Sequence, residues 1–250
     1  MHYQSLDCLL ILSTGPTFRD KLCDQYKATR SASPEDLGPQ MELAQEACEA
    51  FGWPAVAAPG FEGDDIIATM ASMTKDRQVA IVASDKDFMQ VVSDNVVVVC
   101  PTKKMLYASL DVEAKYGVPP HLMADLQSLA GDSADNVQGI PGVGIKTASQ
   151  LLNQFGSLDK VLDNASLIKQ PKRRASLIAG RASALHARQL VTLDSKVPPT
   201  SLVPPLQGSS ELAAFLANPT PTTFEPAIAF CERHGLWQVA KNLRKHQDSV

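Results

Sequence analysis

Two short runs of β-branched and apolar residues, Val79-Ala80-Ile81-Val82 and Val96-Val97-Val98-Val99, most constrain the fold of this chain. Continuous apolar strands of this kind suit a sheet covered on both faces, and in such sheets the strands run parallel and are joined through helices. A helical repeat stands upstream, with Met41, Ala44, Cys48 and Phe51 on one face of a helix from about Pro39 to Phe51. Leu9 to Leu12 and Trp53 to Ala57 read as further strands, and Met105 to Tyr107 as a short edge strand. A weakly amphipathic helix is expected over residues 18 to 30. Strand and helix alternating at this spacing predict an α/β core with a parallel sheet, whose ligands lie beyond the carboxyl ends of its strands.

That is where the acidic residues gather. Gly60-Phe61-Glu62-Gly63-Asp64-Asp65-Ile66-Ile67 places three carboxylates within four residues, and Asp85 with Asp87 follows the Val79 strand. A third pair, Asp132 with Asp135, stands beside a glycine-rich turn. Like charges so close raise one another's pKa and persist where a cation or a helix N-terminus offsets them. Glu62, Asp64 and Asp65 suit an acidic helix cap. Seven carboxylates in three clusters suit a site for a hard cation, magnesium or manganese, because every donor is oxygen.

From about Leu110 onward the strand signals stop, and short helices joined by glycine and proline turns predict a second, helical lobe. The domains are therefore expected at 1–109 and 110–250. Gly139-Ile140-Pro141-Gly142-Val143-Gly144 reads as an interhelical hairpin whose glycines permit close backbone approach. It fits a tight turn without ligand. With Lys146 and Thr147 opening the next helix, it also fits a helix-hairpin-helix element that grips a phosphate backbone. Later, Leu162, Leu177, Leu190, Phe215 and Phe230 suggest packed helices interrupted at Pro198-Pro199 and Pro204-Pro205, with Trp237 and Leu243 anchoring the last.

The formal charge of -4 speaks against a nucleic-acid partner, yet setting the seven carboxylates aside leaves a net positive remainder. Basic residues cluster at Lys21, Lys27 and Arg30, at Lys103 and Lys104, and at Lys169, Lys172, Arg173 and Arg174. The five cysteines are odd in number and form no Cys-x-x-Cys pair, as in a reduced, intracellular, soluble protein. No apolar run is long enough for a membrane span, and the first residues lack a signal peptide's pattern. The five histidines have no ligand spacing.

Five stretches in order resemble the 5'-3' exonuclease and flap-endonuclease family, in the branch that includes the N-terminal 5'-3' exonuclease domain of bacterial DNA polymerase I. They are Thr17-Phe18-Arg19 with Tyr26 to Arg30, Pro34 to Leu37, Gly60 to Asp65, Asp85-Lys86-Asp87, and Gly131-Asp132 through Thr147. The resemblance implies a PIN-like parallel-sheet nuclease core, a helical arch, and a helix-hairpin-helix lobe. It implies metal ligation by Glu62, Asp64, Asp65, Asp85, Asp87, Asp132 and Asp135, with Lys27 and Arg30 as catalytic arch cations. Arg19, Gly139, Gly142, Gly144, Lys146 and Thr147 are expected on DNA, with a potassium ion at the hairpin. The partner is DNA carrying 5' ends or flaps, bound by a monomer and cut with divalent metal. Two departures stand against full activity. The family's opening strand, with its metal-binding aspartate, has no counterpart here, and a second family aspartate falls on Leu12, seven residues before Arg19. Asp7 stands at the wrong end of that strand, and Ser13 is no carboxylate. The alternative is therefore a weakened or inactive member that binds DNA structures.

Overall fold

The computed structural model describes residues 10–12, 15–32, 34–53, 55–202 and 223–247. Asp7, Cys8, Leu9, Ser13, Pro204, Pro205 and Phe215 lie outside them. The chain clusters into two compact units that interleave along the sequence: residues 1–13, 32–58 and 198–250, and residues 14–31 and 59–197.

In the first unit β1 (Leu10–Leu12) pairs in parallel with β2 (Ala55–Ala57), Ile11 opposite Val56. α2 (Leu37–Phe51) separates them and ends at Gly52, whose φ of 67° is the left-handed geometry that closes a helix. Cys48 is its buried residue. α10 (Glu225–Arg233) and α11 (Trp237–Gln247) form a hairpin, and α10 packs on α2. Ile228, Phe230, Cys231 and Ala240 make that core, with Leu243 against it. The expected anchor Trp237 is instead 65% exposed, and Ala240 and Leu243 of the same helix face the core.

In the second unit β3 (Val79–Val82) runs parallel to β4 (Val96–Cys100), and β5 (Met105–Tyr107) adds an antiparallel edge, so the sheet is mixed rather than purely parallel. β3 is not buried on both faces: Ile81 is buried, whereas Val82 is 69% exposed. In β4, Val96, Val98 and Cys100 alternate inward. α3 (Gly63–Met73) precedes the sheet, and α4 (Ser109–Tyr116) and α5 (Met123–Ala130) follow it. α5 packs on α6 (Ile145–Phe155) and on α9 (Arg181–Val191). Ile81, Phe88, Val98, Met123, Leu126, Leu129, Leu152 and Leu158 share one core, which joins sheet to helices. α7 (Leu158–Asp163) and α8 (Pro171–Ala179) bury Leu162 and Leu177 as their spacing suggests.

The helix expected over residues 18 to 30 stops early. α1 spans Phe18–Leu22, Cys23 turns extended, and a tight turn carries Tyr26 to Arg30 with Lys27 at φ 56°. That turn is held by the Lys27 N–H, which donates to the Asp135 carbonyl at 2.9 Å. Among the described residues Cys23, Cys48, Cys100 and Cys231 form no disulfide, and the last three are buried.

Candidate metal and phosphodiester site

Four separate segments of the second unit build the site. Thr17 bridges Gly60 in parallel, and the Phe18 N–H donates to the Gly60 carbonyl at 2.9 Å, so α1 begins beside the acidic stretch. The three carboxylates there diverge in role. Asp65 is fully buried, and its two oxygens accept from Arg19 at 2.7 and 2.8 Å. It also accepts the Glu62 N–H at 3.1 Å, the expected helix cap, and the Asp194 N–H at 2.8 Å. Arg19 is 1% exposed, and its other donors reach the Leu190 and Thr192 carbonyls, both at 2.7 Å, and the Glu62 carboxylate at 3.4 Å. A guanidinium so enclosed has no face for a DNA backbone, and a carboxylate with four donors has little left for an ion. Arg19 and Asp65 form a clamp between α1, α3 and the chain after α9.

Glu62 pairs with Lys27 and accepts from the Tyr26 hydroxyl at 3.2 Å. The same hydroxyl oxygen lies 3.1 Å from Asp135, so one proton is shared between the two carboxylates, and burial together with them pushes the phenol well above its ordinary range. It stays protonated and tethers the acidic stretch to the later aspartates. Arg30 reaches Asp135 at 2.5 Å, with Lys27 at 3.8 Å.

The Val79 strand delivers Asp85, which accepts the Asp87 N–H at 2.9 Å and so opens a 3-10 turn over Asp87–Gln90. Between them Lys86 points at Asp132, 2.6 Å away. The chain from α5 makes a tight loop in which Asp132 and Val137 exchange backbone hydrogen bonds at 2.8 Å. This needs Gly131 and Gly139, since a Cβ on Gly139 would meet backbone atoms at 2.3 Å. The loop brings Asp132 and Asp135 toward Asp87, and carboxylate oxygens of the three lie within 4.8 Å of one another. Burial, then Asp85, pushes Asp87 up to about 6. Asp64 is likewise pushed up to about 6 by burial, Asp85 and Glu62. Crowded anionic charge of this kind is what a divalent cation relieves, and the all-oxygen donor set fits a hard one.

Gln127 was not marked by the sequence. Its amide donates to Asp87 at 2.6 Å and to Asp132 at 3.3 Å, while its oxygen accepts from Gln90 at 3.1 Å. A glutamine set between Leu126 and Leu129 in an apolar helix is the one signal the sequence carries for it. Lys86 and Tyr26 likewise carried no assigned role. Among the described residues no buried side-chain polar atom lacks a partner.

The hairpin stands apart from these carboxylates in sequence. The Ile140 N–H donates to Leu129 at 2.8 Å, Ile140 and Val143 are buried, and Gly142 adopts φ 79° in open space. Gly144 caps α6, so Pro141, Gly142, Gly144 and Lys146 lie exposed around a helix N-terminus, with Thr147 half-buried.

Two family models together match most of the chain: the 5'-3' exonuclease N-terminal resolvase-like domain over residues 2–117, and the 5'-3' exonuclease C-terminal SAM fold over residues 118–208. DNA polymerase I of Rhizobium leguminosarum is 47% identical over 222 residues, covering 86% of this chain and 22% of that protein. The chain thus spans about a fifth of the length of such relatives. A 5'-3' exonuclease of Mycobacterium tuberculosis is 34% identical over 240 residues, covering 84% of this chain and 76% of that one. A T5 5'-exonuclease mutant shares the fold with a TM-score of 0.67 at 21% identity, over 84% of this chain and 82% of its own. A T5 protein co-crystallised with metal ions gives 0.68 at 22%, over 84% and 83%.

Proposed function

The chain belongs to the 5'-3' exonuclease family, and on that premise we propose that it is a metal-dependent 5'-3' exonuclease and flap endonuclease acting on DNA. The convergence of Asp87, Asp132 and Asp135 within 4.8 Å carries this reading. A magnesium or manganese ion held there would polarise a phosphodiester and lower the pKa of a bound water. This chain's own residues prepare the place. Gln127 fixes the rotamers of Asp87 and Asp132, and Asp85 positions the Asp87 backbone. Asp64 and Asp85 form the neighbouring anionic pair and would add further oxygen donors beside that ion. Lys27, Arg30 and Lys86 bring three cations against these carboxylates and can offset charge gathering on a scissile phosphate. Arg19 and Asp65, assigned above to contact DNA and metal, act as positioning residues.

The hairpin from Gly139 to Gly144, with Lys146 and Thr147, takes the duplex backbone, and a potassium ion on its carbonyls belongs to the same reading. Roles in DNA replication and repair follow from such a substrate. A monomer inside the cell suits this work, and among the described residues no helix is long and apolar enough to cross a membrane.

A second reading is a DNA-structure-binding protein with little or no hydrolysis. It is favoured by the engagement of Asp65 with Arg19 and of Glu62 with Lys27, which leaves the first acidic stretch short of free oxygens. One experiment separates the two. A 5'-flap duplex incubated with magnesium should be cut near the branch, with loss of cutting on chelation and in Asp132→Asn. Tight binding without cutting supports the second reading, and neither binding nor cutting sinks both.

A further inference from the structure

A cavity of about 360 Å³ adjoins the acidic site at Asp85 and Lys86. Ser84, Asp85 and Lys86, with Ala134 of the loop that carries Asp132 and Asp135, line part of it, and further lining comes from elements outside the acidic site. The turn between β4 and β5 supplies Lys103, β5 supplies Tyr107, and the last turn of α4 supplies Lys115 and Tyr116. Lys115 is fixed rather than splayed: its ammonium donates to the Tyr107 hydroxyl at 3.2 Å and lies 4.3 and 4.8 Å from the Tyr107 and Tyr116 ring centres.

Lys103 and Lys115 differ from the cations already described in how their charge is partnered. Lys27, Arg30 and Lys86 each have a carboxylate partner. Among the described residues neither Lys103 nor Lys115 has one within 4 Å. Two uncompensated ammonium groups and two tyrosine rings therefore face a pocket whose rim is a proposed catalytic carboxylate. Lysine binds phosphate as a point charge, and aromatic faces accept nucleobases of any sequence. A phosphate monoester carries close to two negative charges at neutral pH, which matches two lysines, whereas a diester carries one. The volume lies at the lower end for ligand pockets and suits a single nucleotide.

We propose that this pocket binds one nucleotide bearing a terminal 5'-phosphate. Placing that nucleotide at the end of the strand to be cut rests on the nuclease reading above, and it would make Lys103 and Lys115 determinants of preference for phosphorylated 5' ends. The phosphate could equally belong to a released mononucleotide, since the recognised chemistry is the same.

The test is equilibrium binding, with chelator present, of oligonucleotides with a 5'-phosphate or a 5'-hydroxyl to the 250-residue protein and to Lys103→Gln, Lys115→Gln and the double variant. Thymidine monophosphate and thymidine serve as competitors. The wild type should favour the phosphorylated end about tenfold, and each substitution should lower that ratio roughly threefold to fivefold, as expected for one partly exposed charge contact. Unchanged thermal melting would show that the variants fold. Competition by the monophosphate alone identifies a mononucleotide site, and absence of competition with end preference intact identifies a strand-end site. Equal binding of both ends, or a preference that survives in the double variant, overturns the proposal. Flap cleavage measured on the same proteins keeps the two claims separate. A wild type that prefers phosphorylated ends yet never cuts fails the nuclease reading alone, and one that cuts without end preference fails the pocket alone.

Discussion

Replacing Arg19 by alanine should unfold the protein more readily without acting first on DNA. Arg19 and Asp65 are both almost wholly buried and meet through two hydrogen bonds of 2.7 and 2.8 Å. Removing one partner of such a pair strands a charge in the interior and costs about 3–5 kcal/mol. The upper part of that range applies here, because the Leu190 and Thr192 carbonyls lose their donor as well. The Asp194 and Glu62 N–H groups still face Asp65 and soften the loss. Domains of this size are stable by about 5–15 kcal/mol, so a large share would go. Urea unfolding followed by circular dichroism should show a lower midpoint at an unchanged slope. Arg19→Lys should fall between, since one ammonium cannot reproduce the two-pronged contact. A loss below about 1 kcal/mol, with DNA affinity reduced instead, would refute the clamp and return Arg19 to the DNA surface.

Acidity should stabilise the metal-free protein over a defined window. Asp64 and Asp87 are pushed up to about 6 from 3.8, so the folded state holds protons that the unfolded chain releases. Their contribution is fully present below about pH 4 and lost as pH rises through about 6, each worth up to about 3 kcal/mol. Melting temperature with chelator should fall across that window, and Asp87→Asn should flatten the fall; a flat wild-type profile would contradict the burial argument. In the hairpin loop, Gly139→Ala should disrupt folding because its Cβ would meet backbone at 2.3 Å, whereas Gly142→Ala, in open space at φ 79°, should cost only about 1–2 kcal/mol. Equal thermal shifts for the two would refute this. Lys146→Glu should weaken duplex binding at every sequence and lower the salt slope by about 1, leaving stability unchanged.

The strands were legible because Val79 to Val82 and Val96 to Val99 carry local propensity, and α2 because its apolar residues recur at helical spacing. What failed depended on distant parts of the chain. Nothing near Asp65 distinguishes it from Asp64, yet one meets an arginine 46 residues away and the other faces Asp85. The same holds for Arg19, whose carbonyl partners lie 171 and 173 residues on. Helix α1 stops at Leu22 because the following turn is held by the Asp135 carbonyl, a constraint absent from local sequence. Trp237 read as core by size alone, yet it stands exposed at the start of α11 while Ala240 and Leu243 meet the core. Gln127 shows the reverse case, a polar residue in an apolar helix whose task becomes visible only when Asp87 and Asp132 converge on it.

Calorimetric titration with manganese bears most directly on the carboxylate cluster. Asp87, Asp132 and Asp135 with waters can fill an octahedral shell, so about one ion per chain should bind tightly, displacing Lys86 from Asp132. Asp132→Asn should abolish that binding while leaving the fold intact. Absence of heat in the wild type, or the same affinity in Asp132→Asn, would contradict the assignment of the metal to these three aspartates and with it the proposed chemistry.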